Sequence, residues 1–229
     1  MARQAPRCAP RRSPLTRDRV LGAAVAVADA EGLDAVTMRR VGQVLGVEAM
    51  SLYNHVRNKD ELLDGMADLL VEEIEIPPPG TPWKDAIRGR SWSGRALVQR
   101  HPWAPALLAR RPTGRRPMAA YLDGVLAVLL AAGFSAQLAH TALHVLDSRI
   151  LGFTRELFHP SAQAPMDADL LAAMAPTHPS MMRILEEATH DDDAEFAFAL
   201  DLILDGLERA RDREADVAGS TVRAAAGDP

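Results

Sequence analysis

The chain of 229 residues has one cysteine, Cys8, and two lysines, Lys59 and Lys84. A single cysteine excludes an internal disulfide framework and a cysteine-rich zinc module, and it suits a reducing compartment. The other basic side chains are arginine, and alanine is abundant; that bias points to a GC-rich genome, not to a function. Aromatic residues make up 4% of the chain, and Tyr53 is the one aromatic among the first 82 positions. Apolar runs are too short, and too often broken by charge, to span a bilayer. The arginines near the N-terminus are not followed by the apolar stretch of a secretory signal, so a cytoplasmic protein without a membrane partner is expected. No glycine-rich phosphate loop is found, no serine or cysteine nucleophile has a credible partner, and no metal-ligand motif rises above background. The expectation is a protein that is not an enzyme, with no catalytic residues, no cofactor and no metal. Strand-like alternation and internal repeats are also missing.

Apolar side chains form 48% of the sequence, enough to fill a core. The 26 basic and 31 acidic residues give a formal net charge of −5. That sum hides an asymmetry, for residues 1–60 are net basic and the remainder net acidic. A basic front on an acidic body suits a nucleic-acid-binding head. Arg3, Arg7, Arg11 and Arg12 supply the excess, so a solvated basic tail explains the charge equally well.

Helical periodicity runs through the chain, and the fold class expected is all-α. Residues 1–15, with Pro6, Pro10 and Pro14, read as a basic arm. A first helix from Thr16 or Arg17 carries Val20, Leu21, Ala24, Val27 and Ala28 on one face and ends at Gly32. Thr37 caps a short second helix that buries Val41, Val44 and Leu45. Gly46 marks the bend before a third helix through Ser51 and His55. Asn58 and Glu61 form a capping-box variant that starts a long helix from Lys59 to Ile74. The run Pro77-Pro78-Pro79-Gly80-Thr81-Pro82 is the best domain boundary. The division expected is a helix-turn-helix head with its connecting helix over 16–76, a helical body over 77–214 and a flexible tail over 215–229. In the body, helices are expected over 83–100, 103–110, 118–132 and 135–158, then from Pro179 to Glu187 and from Ala194 to Glu214.

Three short helices joined by tight turns match a helix-turn-helix, whose third helix lies in the major groove of DNA. Its outward side chains would be Ala49, Met50, Ser51, Tyr53 and Asn54. Asn54 can pair with adenine, and Ala49 or Met50 can touch a thymine methyl. Thr37, Arg39, His55 and Lys59 are placed to meet phosphates, and Arg39 can also reach a guanine edge. Plain packing is the competing account of Tyr53, Met50 and His55.

The stretch Thr37-Met38-Arg39-Arg40-Val41, Leu45-Gly46-Val47 and Ser51-Leu52-Tyr53-Asn54-His55-Val56-Arg57-Asn58-Lys59-Asp60-Glu61-Leu62-Leu63 resembles the DNA-binding signature of the TetR family of bacterial transcription regulators. Trp83, Arg100-His101-Pro102-Trp103, Arg111-Pro112-Thr113-Gly114, Ala132-Gly133-Phe134-Ser135 and Leu151-Gly152-Phe153 are similar to the tetracycline-repressor-type C-terminal domain. The resemblance implies a homodimer whose heads bind a palindromic operator in double-stranded DNA. It also implies a body that binds a small-molecule effector and releases the repressor. An all-α interaction protein without DNA binding is the alternative.

For the dimer, Phe198, Leu202 and Leu207 on the last helix are candidates, with the helix from Ser135. For the effector pocket, Arg90, Trp92, Trp103, Leu107, Arg111, Met118, Asp123, Leu143, His144 and Asp147 are candidates, with Tyr121, Leu122 and Phe153 as further lining. His140, His144 and Asp147 share one helical face; polar groups at a dimer seam explain them better than a zinc site. The tetracycline repressor binds its drug through magnesium on a histidine shortly before the Arg-Pro turn. Leu107 stands at the matching position. Glu156 matches the family's acidic residue, but one carboxylate is a poor magnesium site. Magnesium-tetracycline is therefore not the expected effector.

Overall fold

The computed structural model describes residues 14–75, 77–78, 80–110, 116–152, 167–189 and 191–226. Among them are eleven α-helices and no strand. They are α1 (Arg17–Glu31), α2 (Met38–Leu45), α3 (Ala49–Leu52), α4 (Lys59–Glu72), α5 (Trp83–Arg100), α6 (Ala104–Leu108), α7 (Arg116–Ala131), α8 (Ala136–Gly152), α9 (Ala168–Met174), α10 (Pro179–Glu187) and α11 (Asp192–Ala226). The chain divides into two compact units. One holds the described residues of Met1–Glu73 and Arg100–Pro117; the other holds those of Ile74–Gln99 and Met118–Pro229.

Local signals start the helices of the first unit. Thr16 Oγ1 accepts from the Arg19 amide, Thr37 Oγ1 from Arg40, and Asn58 Oδ1 from Glu61, which satisfies amides that the first helical turn leaves unpaired. Val20, Leu21, Val36, Val41, Leu52, Val56, Leu62, Met66 and Leu70 are buried. Each such side chain contributes about 1.5–3 kcal/mol by leaving water. Val44, expected inside, is 49% exposed; three residues beyond Val41 it turns off the buried face of this short helix. A 3₁₀ turn at Leu33–Ala35 that the pattern did not suggest joins α1 to the α2 cap.

α6 completes this unit by packing on α4. Its Ala104 and Leu107 are buried. Just before it, His101 Nδ1 and Trp103 Nε1 both meet Asp29 Oδ1 of α1, at 2.6 and 2.8 Å. Arg100 also pairs with Glu73 at 3.0 Å.

The second unit is built around Ile87, Val125, Leu129, Phe134, Leu143, Leu146, Ile150, Phe196, Leu200, Leu204 and Leu207. Ser135 Oγ accepts from the Leu138 amide at the start of α8, and Asp191 Oδ1 accepts from the Asp193 and Ala194 amides at the start of α11. α11 runs on to Ala226, past the end expected at Glu214. Five of the twelve residues over 215–226 are alanine, the strongest helix former.

Candidate nucleic-acid interface and effector site

The turn between α2 and α3 fixes what the head can present. Gly46 caps α2 with φ 66° and ψ 37°, the left-handed region that glycine enters without steric cost. The Val47 amide then donates back to the Gly42 carbonyl at 2.9 Å. The approach is so tight that a Cβ on Gly42 would lie 2.9 Å from the Val47 oxygen and 3.3 Å from the Ala49 nitrogen. Sequence reasoning passed over Gly42, because its constraint comes from backbone several residues away.

α3 is a single turn, shorter than expected. Leu52 and Val56 point inward and are 0% and 1% exposed. Anchoring on that side turns Met50, 75% exposed, and Tyr53, 44% exposed, toward solvent. Neither serves as core packing. Asn54 is exposed beside them, while Ala49, Ser51 and His55 are half-buried. Thr37, Arg39 and Lys59 are also exposed. Thr37 uses an oxygen lone pair on its helix cap, which leaves the hydroxyl hydrogen able to donate. Arg40 is held within the protein, with Nη2 2.6 Å from Glu31 Oε1.

Glu61 braces the entry to α4. Its carboxylate accepts from the Arg57 amide at 2.8 Å and from Arg57 Nε at 2.9 Å. The expected capping-box bond would have gone one residue further, to Asn58. The Arg57 amide, then its side chain, hold the Glu61 carboxyl below its ordinary value. A depressed carboxylate stabilises fully above the unfolded pKa, and that contribution fades as pH falls through the lowered folded value. Urea unfolding should therefore show Glu61→Gln less stable than wild type at pH 7, with the gap closing under acid. A gap that stays constant with pH would remove the carboxylate from this role.

In the second unit, three expected effector residues behave differently from the rest. Arg90 is 2% exposed and donates from Nη2 to Asp147 Oδ1 at 2.8 Å. Its guanidinium carbon lies 4.6 Å from the centroid of the Tyr121 ring. Burial pushes the Tyr121 phenol up to about 12, with Arg90 opposing the shift, so the phenol keeps its proton at neutral pH. Trp92 and Met118 are half-buried, Leu143 is in the core, and Asp123 and His144 are exposed. Trp92 meets Phe196 edge-on at 4.9 Å.

Trp103 and Leu107 fall in the first unit. Arg111, Phe153 and Glu156 lie outside the described residues. Leu107, buried and apolar, offers a magnesium ion no lone pair. Among the described residues no group of three His, Cys, Asp or Glu converges on a metal-sized site. Asp147 engages Arg90, while His140 and His144 bring their Nε2 atoms within 3.2 Å of each other on the exposed face of α8.

On α11, Phe198 is 66% and Leu202 55% exposed. Leu207, five positions on, turns about 140° to the other side and joins the core. Val145 is 41% exposed on α8, which packs against α11. No helix among the described residues is long and apolar enough to cross a membrane.

Residues 20–66 match the bacterial regulatory proteins, tetR family, and residues 76–211 match the tetracyclin repressor-like C-terminal domain. The chain belongs to the TetR family. It is 34% identical to the HTH-type transcriptional repressor DrrR1 of Streptomyces coeruleorubidus, over 87% of this chain and 80% of that protein. It is 30% identical to the class C tetracycline repressor protein of Escherichia coli, over 86% and 92% of the two chains. The fold is shared with the TetR family protein ActR of Streptomyces coelicolor, solved in complex with actinorhodin: TM-score 0.67, 28% identity, and 87% and 99% of the two chains covered. This TetR-family chain is a ligand-responsive DNA-binding repressor.

Proposed function

We propose that this repressor acts as a homodimer in the cytoplasm, that its two heads read the half-sites of a palindromic operator, and that a small molecule bound in the second unit releases it. The exposed face of α3 carries the operator reading. Tyr53 and Met50 stand out from a turn whose opposite side is locked in the core, and that orientation serves no packing purpose. Ala49, Met50, Ser51, Tyr53 and Asn54 meet base edges and the adjoining backbone, while Thr37, Arg39, His55 and Lys59 meet phosphates. An effector that binds one head spacing better than another shifts the population away from the operator-competent form. The ActR complex with actinorhodin supports a small molecule as effector.

Anisotropy with DNA flanking the chain's own gene tests this reading. Tight binding of one dimer per site, falling steeply with salt, supports it. Absence of any preference, there and in an unbiased selection from random duplexes, would reject it.

Phe198, Leu202 and Val145 form the dimer face in this proposal, since large exposed apolar side chains on two packed helices favour an obligate interface. Phe198→Glu with Leu202→Glu should yield monomers in sedimentation and lose operator affinity. A double variant that remains dimeric would move the interface elsewhere.

A further inference from the structure

The exposed face of α8 carries two histidines one helical turn apart, His140 and His144. Side chains at i and i+4 lie one above the other on a helix. The two imidazoles meet at Nε2, 3.2 Å apart, with ring centroids at 4.5 Å and planes crossed at 75°. The backbone beneath them is anchored from the other side, where Ala139, Ala142, Leu143 and Leu146 are buried in the core. Neighbouring hydroxyls are engaged by backbone: Thr141 Oγ1 donates to the Gln137 carbonyl and Ser148 Oγ to that of His144.

The 3.2 Å gap between the nitrogens suits two ligands of one metal ion. Zinc–nitrogen bonds of about 2.0–2.1 Å spanning it would meet at about 100–105°, close to the tetrahedral angle. A hydrogen bond between the rings also fits the distance. On a wet helix face, however, such a bond gains little over water and must hold two side chains still. An ion would draw on both lone pairs at once. Spacing in the sequence left a dimer seam the better account of this pair; the approach of the two nitrogens reverses that. The ligand type selects the ion, since imidazole suits zinc, nickel and copper, whereas magnesium and calcium take oxygen. Asp147, one turn on, gives its Oδ1 to Arg90 at 2.8 Å. Among the described residues no third His, Cys, Asp or Glu completes a group with the pair.

We infer that His140 and His144 chelate a zinc-class transition-metal ion, one per chain, with water in the other coordination positions. The ion ties two successive turns of α8 together and, by binding the folded form, stabilises it. The inference is independent of the operator and effector readings.

Calorimetry with zinc chloride on the untagged full-length protein tests it, with Cys8→Ser in every preparation to remove the one thiol. One zinc should bind per chain, and magnesium chloride should not bind. His140→Ala and His144→Ala should each weaken zinc by about tenfold or more, since even an outer-shell partner of a metal ligand is worth about 10–100-fold. Both positions are exposed, so the variants should fold, which circular dichroism checks. His178→Ala, at an exposed histidine outside α8, should bind zinc as before. Thermal unfolding supplies a second readout: zinc should raise the midpoint of the parent protein and of His178→Ala, and raise it less in either α8 variant. No zinc binding, one ion shared by two chains, equal binding of magnesium, or an unchanged zinc affinity in both α8 variants overturns the inference.

Discussion

Tyr53→Ala should leave the protein folded and cost it most of its operator affinity. Tyr53 is 44% exposed at the end of α3, so its removal opens no cavity, and stability should change by no more than about 0.5 kcal/mol. A lost base-edge or groove contact costs about 1–3 kcal/mol, and a dimer loses it at both half-sites. Affinity should fall by about tenfold or more for each site, unequally across operator variants. Lys59→Ala provides the contrast. A phosphate contact carries no sequence information, so its loss should weaken all duplexes alike and flatten the salt slope by about one unit per head. Anisotropy against a panel of half-site variants measures both patterns. Unaltered selectivity in Tyr53→Ala would remove this tyrosine from base reading.

Gly42→Ala should damage the head without touching DNA. The new methyl would meet the Val47 carbonyl at 2.9 Å and Ala49 backbone at 3.3 Å. No flexible side chain can swing aside, so α2 and α3 must separate. Overpacking of this kind costs about 1–3 kcal/mol, against about 1 kcal/mol recovered by replacing a helical glycine. The displacement falls directly on the turn that aims Tyr53 and Asn54, so operator affinity should fall further than stability does. Gly22→Ala is the control: nothing lies within 4 Å of a Cβ there, the site is exposed within α1, and the variant should gain about 0.4–1 kcal/mol. Thermal unfolding of the two side by side, with operator binding, decides. A Gly42→Ala protein as stable and as tight as wild type would show that the turn relaxes freely.

Residues whose roles are local were legible in the sequence. Thr16, Thr37, Asn58, Ser135, Gly32 and Gly46 bond or bend within a few positions of themselves, and residue type alone reveals that. The outward set on α3 was readable because Leu52 and Val56 fix its inner side at helical spacing. Roles set by distant chain were hidden. Gly42 looks like any helical glycine until the Val47 carbonyl is placed over it. Asp29 looks solvated until His101 and Trp103 arrive from more than 70 positions away. Phe198, Leu202 and Leu207 read as one apolar group, yet helical rotation sends Leu207 to the core and the others to the surface. The buried setting of Arg90 likewise depends on how Asp147 and Tyr121 approach it.

The Asp29 junction has a consequence for how the protein is made. The head is not a continuous piece of sequence, since its unit includes residues beyond position 100. Synthesis delivers α1 to α4 first, with Asp29 still lacking His101 and Trp103 and the α4 surface still lacking α6. A nascent chain released at the proline-rich run therefore carries an unfinished head. Ribosome-bound chains that have emerged only as far as residue 82 should be cleaved by protease within α1–α4 more readily than chains from which α6 has also emerged. For the same reason, the boundary written in prolines is a poor place to cut when the head is to be moved onto another protein.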